Sequence, residues 1–580
     1  MTLDDVLVRH IGHFGRFQGV ALFLTVLSSL PAGWHILAYI FISGGTQDYW
    51  CALPTGSFGN ASQEQLKDIF IPSEIKNGKR KFSSCEIYDF DIKNVSKFTL
   101  NILRSGDLVN GSDVRGNISD RRRCVQWEYE NNGRYSSSIL TQYELYCEKE
   151  WLIPVSQSCI MAGWLLGNFV FGSLADRFGR MRVIPVGFLM TFVIGLIMPF
   201  IPNYYAYLLF RFFLGVTTGG SYTVCFVLLL EYCGTKHRVL SNISFHGGFN
   251  GAVVLLSGIA YAMAPVNHIT MQIILGCVPF CMIFYKFILV ESPRWLVSNQ
   301  QYDEARKNIR KIAKFNGRPL ADDVVLAFPQ DRALINGELE MMSEHPEKKY
   351  TVLDLFRTPN IRRATLASYV QWFACSFIFY GLIFIGGSLG ANVYINTAIS
   401  GLCGVVGGFA SLPVLKYLGR RTTGVSSLFI MTISLFASIF LIGKPEYETS
   451  LVGVVFVGKF FNIVAFDTIY LHSAECFPTC MRTLGVGTGS LWARVGALLS
   501  PFIAKTATIW PVLPVIVFCS SSAVATCMAL LLPETRGRHL PETVEEGERF
   551  ARLSLSCPWS RVNEGEKTDI DITEDSNSPC

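Results

Sequence analysis

The sequence predicts an all-α membrane protein of twelve transmembrane helices, built as six plus six in parallel repeat with a large extracellular loop after helix 1. Three observations lead there. Half of the 580 residues are hydrophobic and only 16% are charged, where a soluble chain carries nearer about a quarter; mean hydropathy is +0.34. Twelve apolar runs each approach the roughly 20 residues that a helix needs to cross hydrocarbon. The two halves of the chain repeat their charged motifs at nearly one offset. The net charge of +5 is small and implies no nucleic-acid partner; the lipid bilayer is the partner that this composition requires.

The runs lie near 18–44, 152–173, 183–202, 205–230, 240–263, 269–290, 364–388, 392–415, 423–442, 449–473, 484–505 and 510–533. They divide the chain into an N-terminus (1–17), helix 1 (18–44), a hydrophilic stretch (45–151), helices 2–6 (152–290), a loop (291–363), helices 7–12 (364–533) and a tail (534–580). The first run lacks a small-residue cleavage site and is too long for a signal peptide, so it reads as a retained helix. The tail closes on "EGEKTDIDITEDSNSPC", an acidic and polar composition that predicts disorder.

Basic residues orient the spans. "DRFGRMR" (176–182), "TKHR" (235–238), "KYLGRR" (416–421) and the thirteen Lys and Arg of 291–363 fall at alternate connections. The opposite connections carry almost none. The positive-inside rule then places both termini and the 291–363 loop in the cytoplasm of a multi-pass plasma-membrane protein. The 45–151 stretch falls outside. It holds four N-glycosylation sequons, at Asn60, Asn94, Asn110 and Asn117, and four cysteines, Cys51, Cys85, Cys124 and Cys147. Four cysteines in an external loop predict two disulfides, with three pairings open.

The repeat is read from charged motifs. "EYCGTKHR" begins at Glu231 and "ECFPTCMR" at Glu475, each with an arginine seven positions on (Arg238, Arg482). "ESPRWL" from Glu291 is echoed by "ETRGRHL" from Glu534, and Gly179 of "RFGRMR" by Gly419 of "YLGRR". The offsets are 244, 243 and 240 residues. A parallel repeat of this kind, with a site between the halves near the midplane, is a transporter architecture.

These motifs also carry a resemblance. "GSLADRFGR" resembles the loop signature of the major facilitator superfamily, and "ESPRWL" the signature of its sugar and organic-ion branches. With the large external loop, "ECFPTCMRTLGVG" and "LPETRGRHLPETVEEGE", the chain resembles the organic cation, carnitine/zwitterion and organic anion transporter family over residues 8–548. Span seven, "YVQWFACSFIFYGL", lacks the paired glutamines and serine of sugar porters. The second-half loop motif usually has an acid where this chain has Lys416; Asp176 keeps it in the first half. The resemblance implies a gate made of Asp176, Arg177, Gly179, Arg180, Glu231, Arg238, Glu291 and Arg294, with Glu475 and Arg482 in the second half, whose pairs form when the cytoplasmic side closes.

Buried charge marks the expected substrate site. Arg494 sits within "GTGSLWARVGALLSPFI" (487–503), where an intramembrane cation costs about 2.5–3.5 kcal/mol on insertion scales. A guanidinium grips a carboxylate with two parallel hydrogen bonds, so either a substrate carboxylate or Asp467, the clear intramembrane acid, is its expected partner. Lys459, Asn462, Phe466 and Tyr470 share one helix face, at i, i+3, i+7 and i+11. Trp372, Phe379, Tyr380, Tyr222 and Phe249 offer ring faces to an organic cation. His246 precedes Phe249 by one turn and takes a position that resembles a polar lining residue of the cation members. Single aromatics in membrane helices usually pack; it is as a set that they match the family's cavity.

The resemblance places an arginine at position 494 in carnitine and anion members and an aspartate in cation specialists. "VYINTAISG" (393–401) and "LDLFRTPNIRR" (353–363) lean toward the carnitine and cation side. The expectation is a secondary transporter of small zwitterions or organic cations such as carnitine, working by alternating access. The alternatives are an organic anion exchanger and a transporter-like sensor that binds without transport. No nucleotide, metal, cofactor or nucleophile motif occurs, so an enzyme is not expected; energy would come from Na⁺, H⁺ or exchange.

Overall fold

The computed structural model describes residues 11–43, 49–53, 63–76, 79–89, 120–129, 138–234, 237–263, 266–320, 350–386, 392–538 and 541–556. The four sequon asparagines, much of the 291–363 loop and the end of the tail lie outside the described residues. The principal helices are α1 (Arg16–Ile42), α2 (Leu152–Phe178), α3 (Arg180–Ile197), α4 (Tyr204–Tyr232), α5 (Arg238–Met263) and α6 (His268–Ile288). In the second half they are α7 (Pro359–Ile385), α8 (Val393–Leu418), α9 (Arg420–Leu441), α10 (Glu448–Cys476), α11 (Arg482–Lys505) and α12 (Leu513–Ala529).

Among the described residues ten helices are long and apolar enough to cross a membrane, α1 to α10. α11 and α12 correspond to predicted runs but fall short of that standard. α11 carries Arg482, Arg494 and Lys505. α12 spans 17 residues where the run suggested 510–533; Pro514 falls in its first turn, where a missing N–H costs nothing. Elsewhere helix ends follow local chemistry. The Asn203 side chain accepts from the Tyr205 and Ala206 N–H groups to start α4, and Asn392 from Tyr394 to start α8, each satisfying donors that a helix leaves orphaned. Pro359 takes the first position of α7, where its missing N–H costs nothing.

Small residues set the closest crossing. A Cβ on Gly163, Gly167 or Gly215 would lie 2.0–2.2 Å from a backbone oxygen of the facing helix, so α2 and α4 meet backbone to backbone, as small residues permit within membranes. Across the two halves, Ser158 of α2 donates to Leu498 O of α11 at 2.7 Å, and Gly401 and Gly404 of α8 abut Asn250 of α5. The second half has its own core, centred on Cys375, Phe377, Ile378, Met431, Leu435 and Phe518. Short helices Pro293–Ser298 and Tyr302–Phe315 follow α6, and Val544–Ser556 follows α12.

Residues 41–153, with 263–268, form a second compact unit. Three two-stranded antiparallel ladders pair β1 (Tyr49–Cys51) with β6 (Trp127–Tyr129), β2 (Ser73–Lys76) with β3 (Lys79–Phe82), and β4 (Glu86–Tyr88) with β5 (Arg121–Arg123). Its core is small: Trp50, Leu53, Leu66, Ile69, Phe70, Ile71 and Ile87. Of the three open pairings the structure contains Cys51–Cys124 and Cys85–Cys147, which close loops of 73 and 62 residues and so remove much unfolded-chain entropy.

Candidate functional site

Arg494 meets an aromatic ring and, among the described residues, no carboxylate. Its guanidinium lies 4.9 Å from the centre of the Trp164 ring on α2, a distance suited to cation–π attraction. Its Nε has no hydrogen-bond partner among the described residues. Asp467 accepts from Ser411 Oγ of α8 at 3.2 Å instead. The structure therefore leaves these two half-buried charges unpaired with each other, although they are the opposite pair that the sequence offered.

Around Arg494 the rings interlock. Trp164 meets Tyr222 at 5.4 Å and Phe249 at 6.3 Å; Tyr222 meets Phe245 at 4.6 Å. From the second half, Tyr470 packs on Trp372 at 4.3 Å and on His246 at 5.4 Å. Phe466 completes that group against Trp372 at 5.8 Å. His246 Nδ1 bonds the Asn242 carbonyl at 2.9 Å. Trp372 is fully buried and donates to Ser473 Oγ, which makes it the floor of this group. Trp164 and Phe245 are the members that sequence reasoning left out of the site. "AGWLLGN" around Trp164 reads as helix packing, and it is the approach of α11 to α2, marked by the Ser158–Leu498 hydrogen bond, that brings its ring to an arginine some 330 positions away.

Lys459 goes elsewhere. It is 2% exposed and donates to Ser400 Oγ of α8, with the Phe379 ring 5.6 Å from its ammonium. Asn462, one turn on, donates to Cys375 O at 3.2 Å. Lys459 opens onto a crevice lined by α7, α8 and α10 residues, among them Gly386, Asn396, Thr397 and Ser400. None of the central rings borders it.

The repeated motifs build two matching constellations. In the first half Arg180 pairs with Glu231 at 2.9 Å and with Asp176 at 3.0 Å. Glu291 accepts from the Arg180 and Met181 N–H groups at the start of α3. In the second half Arg420 pairs with Glu475 at 3.0 Å, and Glu534 accepts from the Arg420 and Arg421 N–H groups at the start of α9. Each carboxylate sits on a helix N-terminus, where free N–H groups and the helix dipole favour negative charge. Gly179 and Gly419 make this possible: both have positive φ (+98° and +88°), and a Cβ would meet the Glu291 or Glu534 carboxylate at 2.5 or 2.8 Å.

The partner of each motif glutamate is the arginine after the glycine, Arg180 or Arg420. Arg294 Nε donates to the Glu231 carbonyl, Arg177 lies over the Phe178 ring, and Arg482 keeps Nε and Nη2 buried without hydrogen bonds among the described residues. Every one of these contacts joins elements of a single half. The two glutamates are also unequal. Burial raises Glu291 above the ordinary carboxylate value, against the pull of the Ser292, Met181 and Arg180 N–H groups. Burial would raise Glu534 too, but the N–H groups of Arg420 and Arg536 and their neighbours outweigh it and hold Glu534 low.

Comparisons with known proteins bear on this arrangement. The family model described as sugar (and other) transporter matches residues 124–546. An organic cation transporter protein of Drosophila melanogaster is 31% identical, covering 97% of each chain. Solute carrier family 22 member 2 of Mus musculus is 31% identical over 95% of this chain and 96% of its own. Among solved structures, the major facilitator superfamily proton:xylose symporter XylE bound to 6-bromo-6-deoxy-D-glucose aligns with a TM-score of 0.53 at 14% identity, over 92% of this chain and 98% of its own. That likeness speaks to fold alone.

Proposed function

The chain belongs to the sugar (and other) transporter family of the major facilitator superfamily, in its organic cation group, and from that premise we propose that it carries small zwitterions or organic cations such as carnitine by alternating access. The carrying observation is the Arg494 site. A guanidinium set over a ring, with Asp467 engaged by Ser411, keeps its bidentate face for a carboxylate from outside the protein. The rings of Trp164, Tyr222, Phe249, Tyr380 and Tyr470 supply faces for the ammonium end.

In this reading α11 and α12 complete twelve spans, both termini face the cytoplasm of the plasma membrane, and residues 45–151 form the glycosylated outer loop. The ion pairs at Arg180 and Arg420 stiffen the cytoplasmic end of each half, so that the halves move as bodies between inward and outward states. A Na⁺ or H⁺ gradient, or exchange, supplies the energy. The test is uptake of labelled carnitine, a monovalent organic cation and an organic anion in cells, with Na⁺ replaced and pH varied. Carnitine uptake above the other two supports the proposal; uptake of the anion alone overturns it.

A further inference from the structure

We propose that the crevice at Lys459 binds a small monovalent inorganic anion of the halide class, separately from the substrate site at Arg494. The argument starts from charge. Lys459 is eleven residues past Glu448, on the order of 16 Å along α10, and is almost fully buried. An ammonium at that depth is costly unless something compensates it. Among the described residues its one hydrogen-bond acceptor is Ser400 Oγ, with the Phe379 ring alongside, and no carboxylate pairs with it. The neutral hydroxyl and the ring carry no negative charge.

Donor chemistry then selects the ligand. An ammonium has three N–H donors, and Ser400 uses one. Ser400 accepts that bond, so its own O–H is left to donate. Two N–H groups and one O–H thus converge on the crevice and call for an acceptor with negative charge. The neighbouring groups on α8 do not supply it: Asn396 donates to Gly386 O at 3.0 Å and Thr397 to Val393 O at 2.8 Å.

Size narrows the class. The crevice is a cavity of about 20 Å³. That is room for about one water or one halide, and a multi-atom zwitterion does not fit. The lining is otherwise apolar, with Leu382, Val452, Val455 and Phe456, which suits a weakly hydrated monatomic anion better than a strongly hydrated one. The site thereby differs from Arg494 in occupant as well as place.

The experiment titrates sodium bromide against sodium gluconate, at constant ionic strength, into the purified full-length protein and follows its thermal unfolding. The wild type should gain Tm saturably with bromide, as any ligand that binds only the folded state requires. Lys459→Met replaces a buried charge with an apolar chain of similar length, a change that cores tolerate. It should raise the half-saturating bromide concentration at least about tenfold, since the charge partner is lost. Ser400→Ala should raise it by less and serves alone if Lys459→Met cannot be purified. Arg494→Ala should keep the wild-type titration. An unchanged titration in Lys459→Met and Ser400→Ala overturns the proposal, as does its loss in Arg494→Ala, which moves the anion to the substrate site. Absence of zwitterion uptake by the wild type would refute the proposed function while leaving the bromide titration intact.

Discussion

Replacing Arg494 by alanine separates a ligand-binding arginine from a structural one. The structural cost is worked from its contact with one ring at 4.9 Å. A cation–π contact contributes about 0.5–2 kcal/mol, and removal of a half-buried charge returns part of its desolvation cost, so the two nearly cancel and surface expression should hold. Asp467 keeps its Ser411 partner and is not stranded. The binding cost is larger. Losing one member of a desolvated charge pair costs on the order of 2–5 kcal/mol, or roughly 30-fold to 4,000-fold in affinity. The assay is labelled carnitine uptake, normalised to surface protein by biotinylation, for Arg494→Ala, Asp467→Asn and the double variant. Arg494→Ala should reach the surface and lose uptake, and adding Asp467→Asn should restore neither. Full uptake by Arg494→Ala refutes the carboxylate site. Loss of surface protein that Asp467→Asn repairs would show that the two charges sustain each other, against the geometry.

Gly179→Ala and Gly419→Ala should each lower the yield of folded protein sharply, because the Cβ meets a carboxylate at 2.5 or 2.8 Å on a backbone with φ near +90°; thermal unfolding in detergent measures it, and an unshifted Tm would refute the account. Glu231→Gln should slow turnover more than Asp176→Asn, since the Asp176 side chain is 75% exposed and the Glu231 side chain 15% and an exposed pair contributes about 0.2–1 kcal/mol; the ratio of the two uptake rates at saturating substrate checks it. Glu534 is held below its ordinary value of 4.5, so its stabilisation is present above that value and is lost as pH falls through the folded one. Glu291 is raised, so its ionisation opposes folding as pH rises past 4.5. Glu534→Gln should therefore lower Tm at neutral pH more than Glu291→Gln, and the reverse order would overturn the assignment.

Much of this molecule was legible in the sequence, for a physical reason. A bilayer demands long apolar runs, and hydrocarbon forces their backbones into helices, so the run boundaries from 18–44 to 449–473 track α1 to α10. Gene-level repetition left the motifs at Gly179 and Gly419 and at Glu291 and Glu534 readable as pairs, and the structure gives each pair the same geometry. The charge pattern also announced that Arg494 and Lys459 are special, because an isolated cation in an apolar run needs a reason.

Partner choice was decided only by tertiary structure. The sequence offered Asp467 to Arg494; the fold gave Asp467 to Ser411 and Arg494 to Trp164. It likewise selected one disulfide pairing of three and turned Lys459 into a crevice of its own. Hydropathy and spacing are properties of a single segment, readable along one axis. Which side chain a buried charge meets depends on the crossing of helices hundreds of residues apart, where one close approach, as between α2 and α11, moves a ring across the gap that decides the partner.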